Sequence, residues 1–85
     1  MISFQYKVQD RAGIHARPAS QLIQYTSKLD SGIRIVYNGK EADGKKIMPV
    51  ISLGVKYGET IEIQIFGDQE IKESAELKKF VQENF

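Results

Sequence analysis

Apolar and polar residues alternate along three segments of this chain, residues 2–8, 33–37 and 61–65. A period of two is typical of a strand with one buried and one wet face, so each segment is predicted to be a half-buried strand. Asn38-Gly39 follows the second segment and is a strong signal for a two-residue hairpin turn, because both positions of that turn need positive φ. Residues 40–42 are therefore predicted to begin a short further strand, antiparallel to the second one.

Residues from about 16 or 18 to 28 have the spacing of an amphipathic helix. Proline is tolerated in the first turn of a helix, but it disfavours helical geometry in the residue before it. The start of this helix therefore stays open between Ala16 and Pro18, and His15 lies at or just before it in either case. The residues predicted for its apolar side are Ala16, Ala19, Leu22, Ile23 and Thr26.

Two further helices are predicted later in the chain. Residues 47–53 are apolar on nearly every side, and we expect one short helix there that begins near Pro49. A last helix is predicted after Asp68, which is placed as its N-cap, and Glu70 favours the positive end of the helix dipole. Its core stripe is predicted to contain Leu77, Phe80 and Val81, with Ser74 and Asn84 as weaker members.

The predicted order of elements is βαββαβα. This order indicates an α+β open-faced β-sandwich, in which a four-stranded antiparallel sheet is covered by helices on one face. The long helices are expected on the isoleucine-rich face of the sheet. A chain of 85 residues is predicted to form a single domain, residues 1–85.

Charge and composition narrow the classes of function. The 12 basic and 11 acidic residues leave a net charge of +1, which argues against nucleic acid as a partner. The absence of cysteine excludes disulfides and thiol chemistry. One histidine is too few for a histidine-based metal site, so we expect no metal cofactor. No apolar run approaches the roughly 20 residues that span a bilayer, and the N-terminal residues do not resemble a signal peptide. We therefore expect a cytoplasmic protein that does not insert into the membrane.

The single histidine, His15, precedes a proline that can start a helix, and Arg17 follows two residues later. Imidazole offers a neutral nitrogen nucleophile near neutral pH, and a helix N-terminus favours bound anions. The guanidinium of Arg17 has donors that match phosphate oxygens. This combination predicts that His15 carries a phosphoryl group. The alternatives are that His15 is an ordinary capping or surface residue and that Arg17 is a solvated charge.

Three segments resemble the HPr family, the histidine-containing phosphocarriers of the bacterial phosphotransferase system. They are residues 13–19 (Gly-Ile-His-Ala-Arg-Pro-Ala), residues 37–40 (Tyr-Asn-Gly-Lys) and residues 45–54 (Lys-Lys-Ile-Met-Pro-Val-Ile-Ser-Leu-Gly). The first segment is highly specific, whereas Ser-Leu-Gly at 52–54 is a weaker sign by itself. The resemblance extends over nearly the whole chain and implies the same fold.

The resemblance implies a role for each matching residue. His15 matches the phosphorylated histidine, whose Nδ1 takes the group from enzyme I and gives it to the enzyme IIA domains of sugar transporters. Arg17 matches the arginine that helps hold the phosphoryl group, and Ala16 is expected beside it at the phosphate. Such a protein is a stoichiometric carrier rather than a true catalyst, and it needs no cofactor. The implied docking surface for both partners consists of Ser20, Gln24, Ile47, Met48 and Ile51.

Two positions depart from many relatives of this family. Lys46 stands where many Gram-positive members have a serine that a dedicated kinase phosphorylates, so that regulatory branch is expected to be absent. Pro49 stands where those relatives commonly have a glycine. This difference bears on the expected shape of the short helix and on the choice of partner. The alternative function is that of a Crh-like regulatory binding module without obligatory phosphotransfer. A monomer is expected, with Crh-like strand exchange as the alternative.

Overall fold

The computed structural model describes the backbone of residues 1–85 and every side chain except that of Ala16. Its elements follow the predicted order βαββαβα. The strands are β1 (Ile2–Lys7), β2 (Gly32–Tyr37), β3 (Lys40–Asp43) and β4 (Thr60–Phe66). The helices are α1 (Ala16–Thr26), α2 (Ile47–Ser52) and α3 (Glu70–Asn84).

The strands form an antiparallel sheet in the order β1-β4-β2-β3, so the last strand in sequence lies between the first two. Ile63 of β4 lies opposite Phe4 on one side and Ile35 on the other. The hairpin between β2 and β3 turns at Asn38 and Gly39, whose φ angles of 50° and 76° are the positive values that this turn requires. The predicted hairpin and the predicted strands are confirmed.

The helices cover the isoleucine-rich face of the sheet, as predicted. Leu22 of α1 and Leu77 of α3 are fully buried against it, and the rings of Tyr25 and Phe80 stack at 4.3 Å between these two helices. The opposite face is polar, and there Arg34 donates a hydrogen bond to Gln64. The buried isoleucines of the sheet are Ile33, Ile35, Ile61, Ile63 and Ile65. This segregation makes the fold an α+β open-faced sandwich.

Both prolines occupy the third residue of a helix. Pro18 follows the start of α1 at Ala16, which settles the alternative that the sequence left open. Pro49 follows the start of α2 at Ile47, so the predicted start near Pro49 is wrong by two residues. An N–H in the first turn has no acceptor within the helix, and a proline there removes no helical hydrogen bond.

The two ends of α3 also differ from the prediction. Gln69, not Asp68, is the N-cap, and the Glu70 carboxylate accepts the Gly67 N–H at 3.1 Å and pairs with the Met1 amino nitrogen at 3.0 Å. Ser74 is buried as predicted, but Asn84 is exposed and donates its amide to the Phe80 carbonyl. Asn84 therefore does not belong to the core stripe, because its polar side chain is satisfied at the surface.

Candidate functional site

His15 is the N-cap of α1, at the position predicted from the sequence. Its backbone is extended, with φ −124° and ψ −173°, and its carbonyl accepts the Ala19 N–H at 2.9 Å. The imidazole makes no capping hydrogen bond to any residue that the structure describes. The histidine therefore caps α1 through its backbone alone, which leaves its half-buried ring available for chemistry.

The segment before His15 is held by its own backbone. The Ala12 N–H donates to Asp10 Oδ1 and the Gly13 N–H donates to the Asp10 carbonyl, both at 2.9 Å. The N–H of Ile14, a buried residue, donates to the carbonyl of Val55 at 3.0 Å. These bonds fix the residue next to His15 against the loop that leads into β4. The backbone of His15 consequently has a defined position before any partner binds.

The ring of His15 opens into a cleft of about 310 Å³. Arg17 lines the same cleft and is exposed, so the structure brings the two predicted phosphate-binding side chains together. The side chain of Ala16 lies outside the described residues, but the Ala16 backbone opens α1, where an N–H has no helical acceptor. The complete lining is Asp10, His15, Arg17, Pro18, Gln21 and Asn84.

Pro18 belongs to the motif around His15, but the other three lining residues were not predicted from the sequence to belong to the site. Asp10 follows the first strand as one of many turn residues, and Gln21 has the spacing of a wet helix position. Asn84 was assigned to the core stripe of the last helix. Gln21 and Asn84 meet near His15 because α1 and α3 contact each other. Asp10 is held beside them because its backbone N–H donates to the carbonyl of Phe85, which follows α3. No short-range pattern in the sequence could have indicated this.

A larger depression of about 500 Å³ lies on the sheet and does not include His15. The charge of Arg34 is already engaged there, because its Nε lies 3.4 Å from Glu41 Oε1 and its guanidinium stacks over Phe66 at 5.2 Å. Among the described side chains, no group of three or more His, Cys, Asp or Glu could hold a metal ion. We therefore place the candidate site at His15 rather than in this larger depression.

The predicted docking residues lie on α1 and α2, which contact each other. Ile47 and Ile51 are half-buried and pack against the core, whereas Met48 is 65% exposed. Ser20 is half-buried and Gln24 is exposed on α1. Of the three apolar residues in the predicted surface, Met48 is therefore the one that presents most of its side chain to a partner.

The far end of α1 is fixed by buried polar groups. Glu73 accepts the backbone N–H groups of Asp30 at 3.0 Å and Ser31 at 2.8 Å. Hydrogen bonding from Ser31 lowers the pKa of the Glu73 carboxyl below its ordinary value, although burial acts in the opposite direction. Thr26 donates its hydroxyl to the Gly44 carbonyl at 2.7 Å. Hydrogen bonds to other parts of the fold therefore hold the segments at both ends of α1.

Comparison with known proteins gives one consistent family. Residues 2–83 match the family model described as the PTS HPr component phosphorylation site. The structure of HPr-C-His from Thermoanaerobacter tengcongensis aligns with a TM-score of 0.92 at 30% identity, over 100% of this chain and 96% of that one. The histidine-containing phosphocarrier protein of Mycoplasma aligns with a TM-score of 0.86 at 36% identity, over 92% and 89% of the two chains.

Crh from Bacillus subtilis is a further structural neighbour. It aligns with a TM-score of 0.77 at 28% identity, over 99% of this chain and 97% of that one, and it is described as a dimer with a swapped domain. The structurally similar proteins thus include both phosphocarriers and a catabolite repression protein. None of the helices described for this chain combines the length and the hydropathy needed to cross a membrane.

Proposed function

Because this chain belongs to the HPr family, the phosphocarriers of the phosphotransferase system, we propose that it accepts a phosphoryl group on His15 and passes it to a second protein. The donor would be phospho-enzyme I, and the acceptors would be the enzyme IIA domains of sugar transporters. The observation that carries the proposal is that the imidazole of His15 is not used for capping and shares its cleft with Arg17. We also propose that the protein acts in the cytoplasm and that residues 1–85 form a single domain.

The proposed transfer uses few groups of this chain. The Nδ1 lone pair of His15 forms a bond to phosphorus, while the donor atom leaves with the electron pair of the bond that it held. Arg17 and the N–H groups of the first turn of α1 would stabilise the negative charge of the resulting dianion. Pro18 contributes no N–H, so residues 16 and 17 would supply the backbone donors. Phosphoryl transfer needs mainly positioning and charge stabilisation, and the partners would supply the remainder.

The proposed docking surface is the one predicted from the sequence, consisting of Ser20, Gln24, Ile47, Met48 and Ile51. Met48 would be its apolar centre, because an exposed apolar side chain gains most from being covered by a partner. The exposed Lys46 adds a positive charge at the N-cap of α2, which would favour acidic partners. We propose the monomer as the active unit, and light scattering of the purified chain tests this.

The test of the proposed function is phosphorylation in a purified system. The protein is incubated with phosphoenolpyruvate and a catalytic amount of cognate enzyme I, and its intact mass is measured. We expect a gain of one phosphoryl group that is lost in acid, and no gain in His15→Ala. A protein that gains no phosphoryl group, or a His15→Ala variant that still gains one, would contradict the proposal. Thermal unfolding of the variant serves as the folding control.

The alternative is a Crh-like regulatory module without obligatory phosphotransfer, which the structural likeness to Crh favours. Retention of His15 at the cleft favours the carrier instead. Position 46 is a lysine, which has no hydroxyl to phosphorylate, so regulation by serine phosphorylation at this position is also disfavoured. Capture of transcription factors without enzyme I, in a pull-down with the purified chain, would favour the regulatory module.

A further inference from the structure

The cleft at His15 contains a negative charge that a phosphate site does not need. Asp10 lines it together with His15 and Arg17. Among the side chains that the structure describes, no cation lies within ion-pair distance of Asp10, since the ion pairs found involve Glu70 and Glu41. The carboxylate of Asp10 is therefore not neutralised by a partner, and it is only half-buried.

The fold requires an acceptor at position 10, but it does not require a charge. Asp10 Oδ1 accepts the Ala12 N–H at 2.9 Å, which closes an Asx-type turn before Gly13. The backbone N–H of Asp10 donates to the Phe85 carbonyl, and the Asp10 carbonyl accepts the Gly13 N–H. The amide oxygen of an asparagine would also accept the Ala12 N–H, because Asn forms the same turn. The role of Asp10 in the turn thus leaves its charge unexplained.

We propose that the Asp10 carboxylate opposes the phosphoryl group on His15 and so keeps that group easy to transfer. This inference rests on the proposed function. A phosphoryl group adds about −1.5 to −2 charges near neutral pH. Asp10 and His15 line the same cleft of about 310 Å³, so their charges face one small volume, and at physiological ionic strength screening becomes strong only beyond about 8 Å. Repulsion from Asp10 therefore raises the free energy of the phosphorylated form relative to that of the free form.

The charges of Arg17 and Asp10 have opposite effects on the phosphoryl group. Arg17 stabilises the phosphoryl group enough for it to be accepted, and Asp10 limits that stabilisation so that the group can leave. The step itself is unchanged, since the bond from Nδ1 to phosphorus forms as the bond to the donor breaks, and the reverse occurs on release. What Asp10 sets is the equilibrium between this carrier and the proteins on either side of it.

The experiment is a competition between two forms of the chain. Wild type labelled with ¹⁵N and unlabelled Asp10→Asn are mixed in equal amounts with catalytic enzyme I and limiting phosphoenolpyruvate. At equilibrium, intact mass gives the fraction of each form that is phosphorylated. We expect the phosphoryl group to favour the variant by about three- to tenfold, and this bias should shrink as salt is added. A change in the turn alone would not depend on salt in this way.

The matched control is Asp68→Asn, which removes the same charge from an exposed residue that does not line the cleft. Its partition ratio should stay near one. Asp10→Ser, which also keeps an acceptor for the turn, should show the same bias as Asp10→Asn. An even partition for Asp10→Asn, or an equal bias for Asp68→Asn, would overturn this inference alone. Absence of phosphate on both wild type and variant would overturn the proposed function and this inference together.

Discussion

Gly13 lies in direct backbone contact with Val55. A Cβ atom on Gly13 would come within 2.5 Å of the Val55 carbonyl oxygen and within 2.9 Å of the Lys56 Cα. Gly13 also has a φ of +72°, a value that residues with a Cβ rarely adopt. Since Gly13 precedes His15 by only two residues, this contact acts together with the hydrogen bond from Ile14 to Val55 in positioning the N-cap of α1.

Gly13→Ala should therefore be costly for stability. We expect the free energy of unfolding to fall by about 2–4 kcal/mol, because strained backbone and a steric clash with fixed backbone atoms act together. The control is Gly54→Ala, where φ is +71° but the added Cβ meets none of the described atoms within 4 Å. That variant should lose only about 1 kcal/mol. Urea unfolding measures both losses, and equal losses would show that the contact with Val55 is unimportant.

Arg17→Ala should slow the acceptance of the phosphoryl group. We expect the rate to fall by about tenfold or more, because a preorganised donor to the transferring group is lost. The rate of the Arg17→Lys variant should lie between those of wild type and Arg17→Ala, since lysine keeps the charge but lacks the fork-shaped donors. The control is Arg11→Ala, an exposed arginine near the ring of Tyr57 that does not line the cleft. Rapid-quench kinetics with phospho-enzyme I would detect the difference, and similar slowing in both alanine variants would contradict a specific role for Arg17.

Met48→Ala should weaken docking without unfolding the protein. The side chain is 65% exposed, so its removal leaves no cavity, while a buried apolar contact with a partner is lost. We expect the affinity for enzyme I to fall by about tenfold. Ile71→Ala on α3 removes an apolar side chain that is 77% exposed and lies outside the proposed docking surface. Calorimetric titration should find that this control binds within about twofold of wild type, and a larger loss in the control would place the docking surface elsewhere.

Glu73→Gln should change the pH dependence of stability. The pKa of Glu73 is lowered in the folded state from an ordinary value of 4.5. A carboxyl with a lowered folded-state pKa stabilises the protein above its unfolded-state pKa, and this contribution is lost as the pH falls through the folded-state value. At pH 7 we expect the variant to be less stable by about 1–3 kcal/mol, because buried N–H groups lose a charged acceptor.

The difference between Glu73→Gln and wild type should therefore shrink as the pH falls below about 4.5, which urea unfolding at several pH values would measure. Glu76→Gln is the control, because Glu76 is an exposed residue of the same helix. A difference that stays constant down to low pH would show that the charge of Glu73 does not stabilise the fold.

Several features of this molecule could be predicted from local patterns. The alternation in β1, β2 and β4 and the Asn38-Gly39 turn each depend on residues that are neighbours in sequence. The same is true of His15 at the start of α1, since a proline in the first turn marks a helix start. The two prolines nevertheless show the limit of that signal. It locates a helix start within two residues, and so the start of α2 was misplaced.

The remaining features depend on residues that are distant in sequence. Glu73 accepts the N–H of Ser31, 42 residues earlier, and Gly13 packs against Val55. Asp10 and Asn84 meet at the His15 cleft from opposite ends of the chain. A short window shows each of them only as a turn residue or a helix residue. Their roles become visible when the sheet order and the packing of α1 against α3 are known.

The most direct test of the account is passage of the phosphoryl group through His15 to a second protein. The phosphorylated chain is purified away from enzyme I and mixed with an equal amount of an enzyme IIA domain, and the masses of both proteins are followed over time. We expect the chain to lose its phosphoryl group at the rate at which the enzyme IIA domain gains one. Phosphate that stays on the chain, or is lost only to water, would contradict a carrier function.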